Sequence, residues 1–288
     1  MKKMKSILAK TPLKRWIKKD PVVAVLPLHG VIASGGSKLR GENLNLMGLA
    51  ESINDAFEKK GVVAVALSIN SPGGSPVQSA LIAGRIRQLA DEKKIPVYAF
   101  AEDIMASGGY WLGCCADEIY ADQNSVVGSI GVISAGFGFT GLMEKLGIDR
   151  RTYAAGENKS KLDPFSPEKE SDVEWLKKLQ TEIHDNFKNF VKDSRGERLK
   201  KRKDKELFSG DVWTGTKAVE LGLIDGIADL RSFMREKYGE KVKLELLEEK
   251  KSFIQRTLGL GSQSMVDRAV DSAIGAAKRE AAFNKYGL

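Results

Sequence analysis

The stretch VVAVALSINSPGGSP, residues 62–76, decides the fold class. Val62–Ile69 is a β-branched and aliphatic run interrupted only by Ser68, as expected of a strand buried on both faces. Asn70-Ser71-Pro72-Gly73-Gly74-Ser75 then reads as a turn, and Pro76–Leu89 as a helix with Ala80, Ala83, Ile86 and Leu89 along one face. The pattern repeats downstream: strand Pro96–Ala101, turn Ala106-Ser107-Gly108-Gly109, short helix Gly108–Ala116. Strand, glycine turn and helix at this spacing predict parallel pairing through right-handed crossovers, hence an α/β fold.

Further strands are predicted at Val22–Leu28, Glu118–Ala121, Val126–Ile133 and Arg151–Ala154. From Ser171 to Val191, the residues Val173, Leu176, Leu179, Ile183, Phe187 and Phe190 form the stripe of a long amphipathic helix. Asp211–Ile227 reads as a short helix and strand broken at Gly222. A last stripe, Val266, Val270, Ile274 and Ala277, fits either intrachain packing or contact with a neighbouring copy. The expected organisation is an N-terminal arm over residues 1–19, one α/β domain over 20–240 and a helical extension over 241–288.

The formal charge of +8 is concentrated at one end. Residues 1–19 hold Lys2, Lys3, Lys5, Lys10, Lys14, Arg15, Lys18 and Lys19 and no acidic residue, so everything after them is formally neutral. A neutral body argues against nucleic acid as the main partner. The run Arg198, Lys200, Lys201, Arg202, Lys203 reads as a solvated helix face or loop. Apolar Leu13, Trp16 and Ile17 between lysines leave two readings for the arm, an interfacial anchor on anionic lipid or a disordered basic tail. No stretch approaches the ~18 to 20 apolar residues of a spanning helix, and no apolar core follows the basic start as in a signal peptide. The expected location is therefore cytoplasmic, with peripheral contact at the inner membrane surface. Cys114 and Cys115 are adjacent and read as buried thiols, without metal-ligand spacing around them.

Acyl transfer needs a nucleophile, a base for its proton and donors for the developing oxyanion. The two histidines, His29 and His184, lack any local motif, and both read as structural. The turns at residues 70–75 and 106–109 place bare backbone N–H groups at the carboxyl ends of parallel strands, where α/β sheets carry their sites. Taken singly, the first could be only a turn and the second only a packing contact.

Taken together with later motifs, they are more specific. Ile69-Asn70-Ser71-Pro72-Gly73-Gly74, Ala106-Ser107-Gly108-Gly109-Tyr110-Trp111 and Val127-Gly128-Ser129-Ile130-Gly131-Val132 come in this order. Asn158-Lys159-Ser160, Pro164-Phe165, Trp213-Thr214-Gly215 and Leu221-Gly222-Leu223-Ile224-Asp225 follow. Over roughly Val22 to Ile227 the chain resembles the signal peptide peptidase A and SohB-like serine peptidases. The resemblance implies a crotonase-like (Clp protease-like) fold. It also implies Ser107 as nucleophile, Lys159 as general base, an oxyanion hole from the N–H groups of Gly74 and Gly108, and Ser129 supporting the lysine. By residue reading alone, Lys159 is not separable from Lys161. A lysine acts as a base only where desolvation favours its neutral form. No metal or organic cofactor is required.

The family implies peptide substrates with small or aliphatic side chains beside the nucleophile, and homo-oligomers with active sites between protomers. Its members usually begin with a membrane anchor where this chain has the basic arm, so both signal-peptide remnants and small cytoplasmic peptides remain candidate substrates. Two other readings compete: a crotonase-type acyl-CoA enzyme, and a catalytically silent membrane-associated scaffold.

Overall fold

The computed structural model describes residues 20–35, 43–199 and 203–247. The arm 1–19, the stripe Val266–Ala277 and most of the basic run at 200–203 lie outside the described residues. Strand β1 (Val22–His29) pairs in parallel with β2 (Val62–Ser71), and β2 in parallel with β3 (Val97–Ala106). Between β1 and β2 runs α1 (Leu46–Glu58), where the Asn45 side chain accepts from the Gly48 N–H at 2.9 Å and Leu49, Ile53, Ala56 and Phe57 are buried. Between β2 and β3 runs α2 (Pro76–Lys93), opened by Ser75 as N-cap and Pro76 in the first turn.

The sheet then forks. The first half of β3 pairs with β4 (Glu118–Ala121), and its last three residues, Ile104–Ala106, pair with β5 (Val126–Gly128). At the branch, the Ser125 hydroxyl bonds the Glu102 carbonyl at 2.5 Å. The Asn70 amide donates to Asp103 Oδ2 at 2.7 Å and accepts from the Ile104 N–H at 3.3 Å. These bonds bridge the register shift between β2 and β3. Beyond the fork lie β6 (Val212–Thr214), antiparallel to β5, and β7 (Gly226–Ile227) on β4.

Helix α3 (Gly108–Gly113) leaves the end of β3, and its Trp111 stacks on Phe187 and Phe190 at 4.6 and 5.2 Å. Those two aromatics belong to the long helix after α4 (Thr140–Leu146), namely α5 (Glu170–Arg195). Its far end is clamped. Arg195, wholly buried, meets both oxygens of Asp225 at 2.8 and 3.0 Å and the Gly222 carbonyl at 3.0 Å. Tyr110 of α3 donates to the Leu223 carbonyl at 2.7 Å. Gly222 sits at φ 79°, and a Cβ there would fall 1.6 Å from the Arg198 carbonyl oxygen. The segment Leu221–Asp225 is therefore a structural clasp between α3 and α5.

Several expectations shift. The strand predicted at Val126–Ile133 stops at Gly128 because Ser129 takes φ 53° and turns off the sheet. Arg151–Ala154 is an exposed loop, not a strand. The sheet continues past residue 240, since β8 (Lys243–Leu246) pairs in parallel with β1, so the predicted domain boundary there falls too early. Of the helix at 170–195 only Phe187, Val191 and Arg195 are buried. Burial pushes the Cys114 and Cys115 thiols up to about 12, so both are protonated and poorly nucleophilic at neutral pH.

Arg195→Leu removes one partner of a buried ion pair and should destabilise the chain by about 3 kcal/mol. The measurement is urea unfolding; an unchanged midpoint would show that the clasp carries no stability.

Candidate functional site

Ser107 stands between β3 and α3 at φ 52°, ψ −121°, a backbone conformation that L-residues rarely occupy. Its own N–H donates to the Gly128 carbonyl of β5 at 2.7 Å, so the fork of the sheet holds the residue in place. The Ser107 hydroxyl is half-buried and makes no hydrogen bond to another described residue.

The first glycine turn comes up against the second. The Ser71 hydroxyl donates to the Gly30 carbonyl at 2.7 Å and accepts from the Gly73 N–H at 3.2 Å. The Ile32 N–H donates to the Gly73 carbonyl, and Ser75 donates back to the Ile32 carbonyl. A Cβ on Gly73, at φ 95°, would lie 2.6 Å from the Gly108 nitrogen. One on Gly74, at φ 143°, would lie 2.0 Å from the Ile32 carbonyl oxygen. These positions need glycine because backbone meets backbone there. The N–H groups of Gly74 and Gly108 donate to no other described residue. Both glycines line the same cleft as Ser107, and open backbone donors of this kind are able to stabilise a developing oxyanion.

Both turns open on a cleft of about 830 Å³. One wall is α5, through Leu176, Leu179, Ile183 and Phe187; the other includes Ser129, Gly131 and Val132–Ser134. The apolar stripe of the long amphipathic helix thus lines the cleft over its first half. No Asp, Glu, Lys or Arg is among the described lining residues. Ser129 lines the cleft, and its N–H donates to the Asp211 carbonyl at 2.7 Å.

His184 also lines the cleft, with Nε2 3.1 Å from the Ile130 carbonyl. Sequence reading took it for a structural residue; only the rotation of α5 over Ser107 brings it to the cleft. His29 does not line this cleft. Its Nε2 lies 3.1 Å from Ser68 Oγ and 3.2 Å from Glu102, while the Ser68 hydroxyl bonds Glu102 directly. This trio has the composition of a catalytic triad but not its wiring, since the carboxylate meets the same ring nitrogen as the serine.

Lys159 is on an exposed turn, is not among the residues lining the cleft, and makes no ion pair with a described residue. Within one copy it is therefore not brought to Ser107. Lys161, which sequence reading could not separate from it, is engaged elsewhere: its amine is 3.8 Å from Asp172 and 5.3 Å from the Trp175 ring centre. The loop carrying Lys159 is closed at its base, where Arg150 pairs with Asp163 at 2.8 Å and lies over Phe165. Nearby apolar side chains point outward: α4 buries none of its residues, and Phe137 and Tyr153 are 81% and 91% exposed.

Residues 89–265, more than half of the chain, match the model of peptidase family S49. The "Na(+)/H(+) antiporter NhaA" of Brucella abortus is 48% identical over 274 residues, covering 92% of this chain and 37% of that protein. The chloroplastic serine protease SPPA of Arabidopsis thaliana is 33% identical, over 70% of this chain and 29% of its own length. Protease 4 of Haemophilus influenzae is 33% identical, over 71% of this chain and 32% of its own length. The chain thus spans about a third of the length of these three relatives. Among solved structures, the 1510-N membrane-bound stomatin-specific protease, in complex with a substrate peptide, superposes with a TM-score of 0.51 at 16% identity. That match covers 89% of this chain and 99% of the other. The shared architecture is the crotonase-like, Clp protease-like α/β fold.

Gly74→Ala places a methyl group against the Ile32 carbonyl and displaces one open donor. Reaction of Ser107 with a serine-directed fluorophosphonate should slow on the order of 10²-fold. Labelling at the unmodified rate would remove Gly74 from the site.

Proposed function

Because the chain belongs to peptidase family S49, a family of serine peptidases, we propose that it is an endopeptidase acting through an acyl-enzyme on Ser107, with Lys159 of a neighbouring copy as general base. The observation that carries the reading is a Ser107 hydroxyl without a hydrogen-bond partner among the described residues, held at a rare backbone angle and lining one cleft with two open N–H donors and no described Asp, Glu, Lys or Arg. Ser107 Oγ attacks the scissile carbonyl, and the oxyanion forms between the N–H groups of Gly74 and Gly108. The neutral amine takes the serine proton and returns it to the leaving amine; water then releases the acyl group with the same base. Ser129, on the cleft wall, orients the amine. No cofactor enters these steps.

A shared site reconciles an exposed Lys159 with a base that must be uncharged when it accepts the proton. Packing of a second copy over Phe137, Leu142, Leu146 and Tyr153 would cover exposed apolar surface and desolvate the projecting loop. The character of the cleft supports a substrate class. Its apolar lining favours small or aliphatic side chains, and residues 132–138, which form no backbone hydrogen bond to a described residue, offer an edge to an extended peptide. Remnants of cleaved signal peptides have this apolar character, as do some small cytoplasmic peptides. Among the described residues no helix is long and apolar enough to cross a membrane. The basic arm, residues 1–19, would bring the enzyme against anionic lipid, where such remnants reside.

Ser107→Ala should abolish both fluorophosphonate labelling and peptide cleavage. Cleavage that persists would refute the nucleophile, and turnover of a CoA thioester by that variant would favour the acyl-CoA reading.

Subunit mixing tests the shared site. Ser107→Ala and Lys159→Ala, each inactive alone, should together recover about a quarter of wild-type activity when subunits exchange at random. Full activity of Lys159→Ala would exclude it as the base, and no recovery on mixing would put the pair within one copy.

A further inference from the structure

The wall of the cleft opposite α5 is a chain segment with little to hold it. Ser129 turns off β5 at φ 53°, and the Gly131 N–H donates back to the Ser129 carbonyl at 2.9 Å. From there, residues 132–138 make no backbone hydrogen bond among the described residues until Phe139 donates to the Pro164 carbonyl at 2.6 Å. Val132, Ile133 and Ser134 nevertheless border the same cleft as Ser107. On its inner side the segment rests against Gly210, where a Cβ on Gly131 would stand 3.1 Å from the Gly210 Cα. At the stem of the segment, the Ile130 carbonyl meets His184 Nε2 of α5 at 3.1 Å.

We propose that His184 is a positioning residue that ties Ile130, the stem from which the free edge at residues 131–138 departs, to α5, so that an extended peptide can pair with that edge beside Ser107. A carbonyl only accepts, so Nε2 is the protonated nitrogen and donates. The ring is well placed to act as a fixed post. Its helix is anchored by the Arg195–Asp225 pair and by the stacking of Trp111 on Phe187, one turn beyond His184. The neighbouring Asp185 is engaged by Lys188 at 2.6 Å and does not compete for the ring. A loose edge would have to be ordered at the moment a peptide binds; a tied edge has lost that freedom already, which favours affinity.

The inference rests on the peptide-cleaving reading, but binding separates the two. The probe is a fluorescein-labelled octapeptide of alanine and leucine, titrated by anisotropy into Ser107→Ala, which binds without turnover. Adding His184→Phe keeps a ring and removes the donor, while His184→Gln keeps an N–H at similar reach. The Phe variant should raise Kd about three- to tenfold, the weight of one neutral hydrogen bond, and the Gln variant should restore affinity to within about twofold. In hydrogen exchange, the peptide should protect amides of residues 132–138 in Ser107→Ala, less so with His184→Phe. Equal affinities for the Phe and Gln variants, or a bound peptide that protects none of these amides, would overturn the proposal. His184→Ala serves as a second donor-free variant if the Phe variant is misfolded. Tight binding and edge protection without any wild-type cleavage would sink the peptidase reading and leave this one standing.

Discussion

No side chain fits where the two glycine turns meet, and most of the site follows from that contact. Gly73 approaches the Gly108 nitrogen and Gly74 approaches Ile32 at distances that exclude a Cβ. The ends of β2 and β3 must therefore lie side by side, with the open N–H groups of Gly74 and Gly108 fixed relative to the Ser107 hydroxyl. The fork in the sheet supplies the remaining constraint, because Gly128 of β5 accepts the Ser107 N–H and fixes its backbone angle. Electrostatic stabilisation of an oxyanion depends on donors that need no reorganisation, and a backbone-to-backbone contact supplies them.

The second wall of the cleft is set from a distance. Helix α5 is gripped at its C-terminal end by Arg195, Asp225 and the aromatic stack on Trp111, while its first half projects over Ser107 with Leu176, Leu179 and Ile183 facing the cleft. The clasp Leu221–Asp225 thus shapes the cleft without lining it. A buried ion pair is a costly way to hold a helix, but it fixes orientation, and the angle of α5 sets the width of the cleft.

The region between β5 and α5 behaves differently. Its apolar side chains are exposed in a single copy, and the Lys159 turn is joined to the body through the Arg150–Asp163 clasp and the Asp172 contacts. A lysine in water is a poor base at neutral pH, so a role for it implies a drier setting than one copy offers. The same exposure that removes Lys159 from its own Ser107 leaves it available to another.

Local physics made much of this legible in the sequence. Aliphatic runs marked β1 and β2, shorter apolar stretches marked β3 and β4, and the glycine turns after β2 and β3 marked where a cleft opens, because period and turn chemistry are local properties. Resemblance implied Ser107, Gly74 and Gly108, and these three line one cleft. Tertiary structure decided the rest. That Val126–Ile133 breaks at Ser129 depends on an Asp211 carbonyl far along the chain. That Lys243–Leu246 is a strand depends on the open edge of β1. Which face of the long helix meets the cleft, and so the place of His184, depends on a clasp formed at its other end; contacts between distant segments leave no period in the sequence to read.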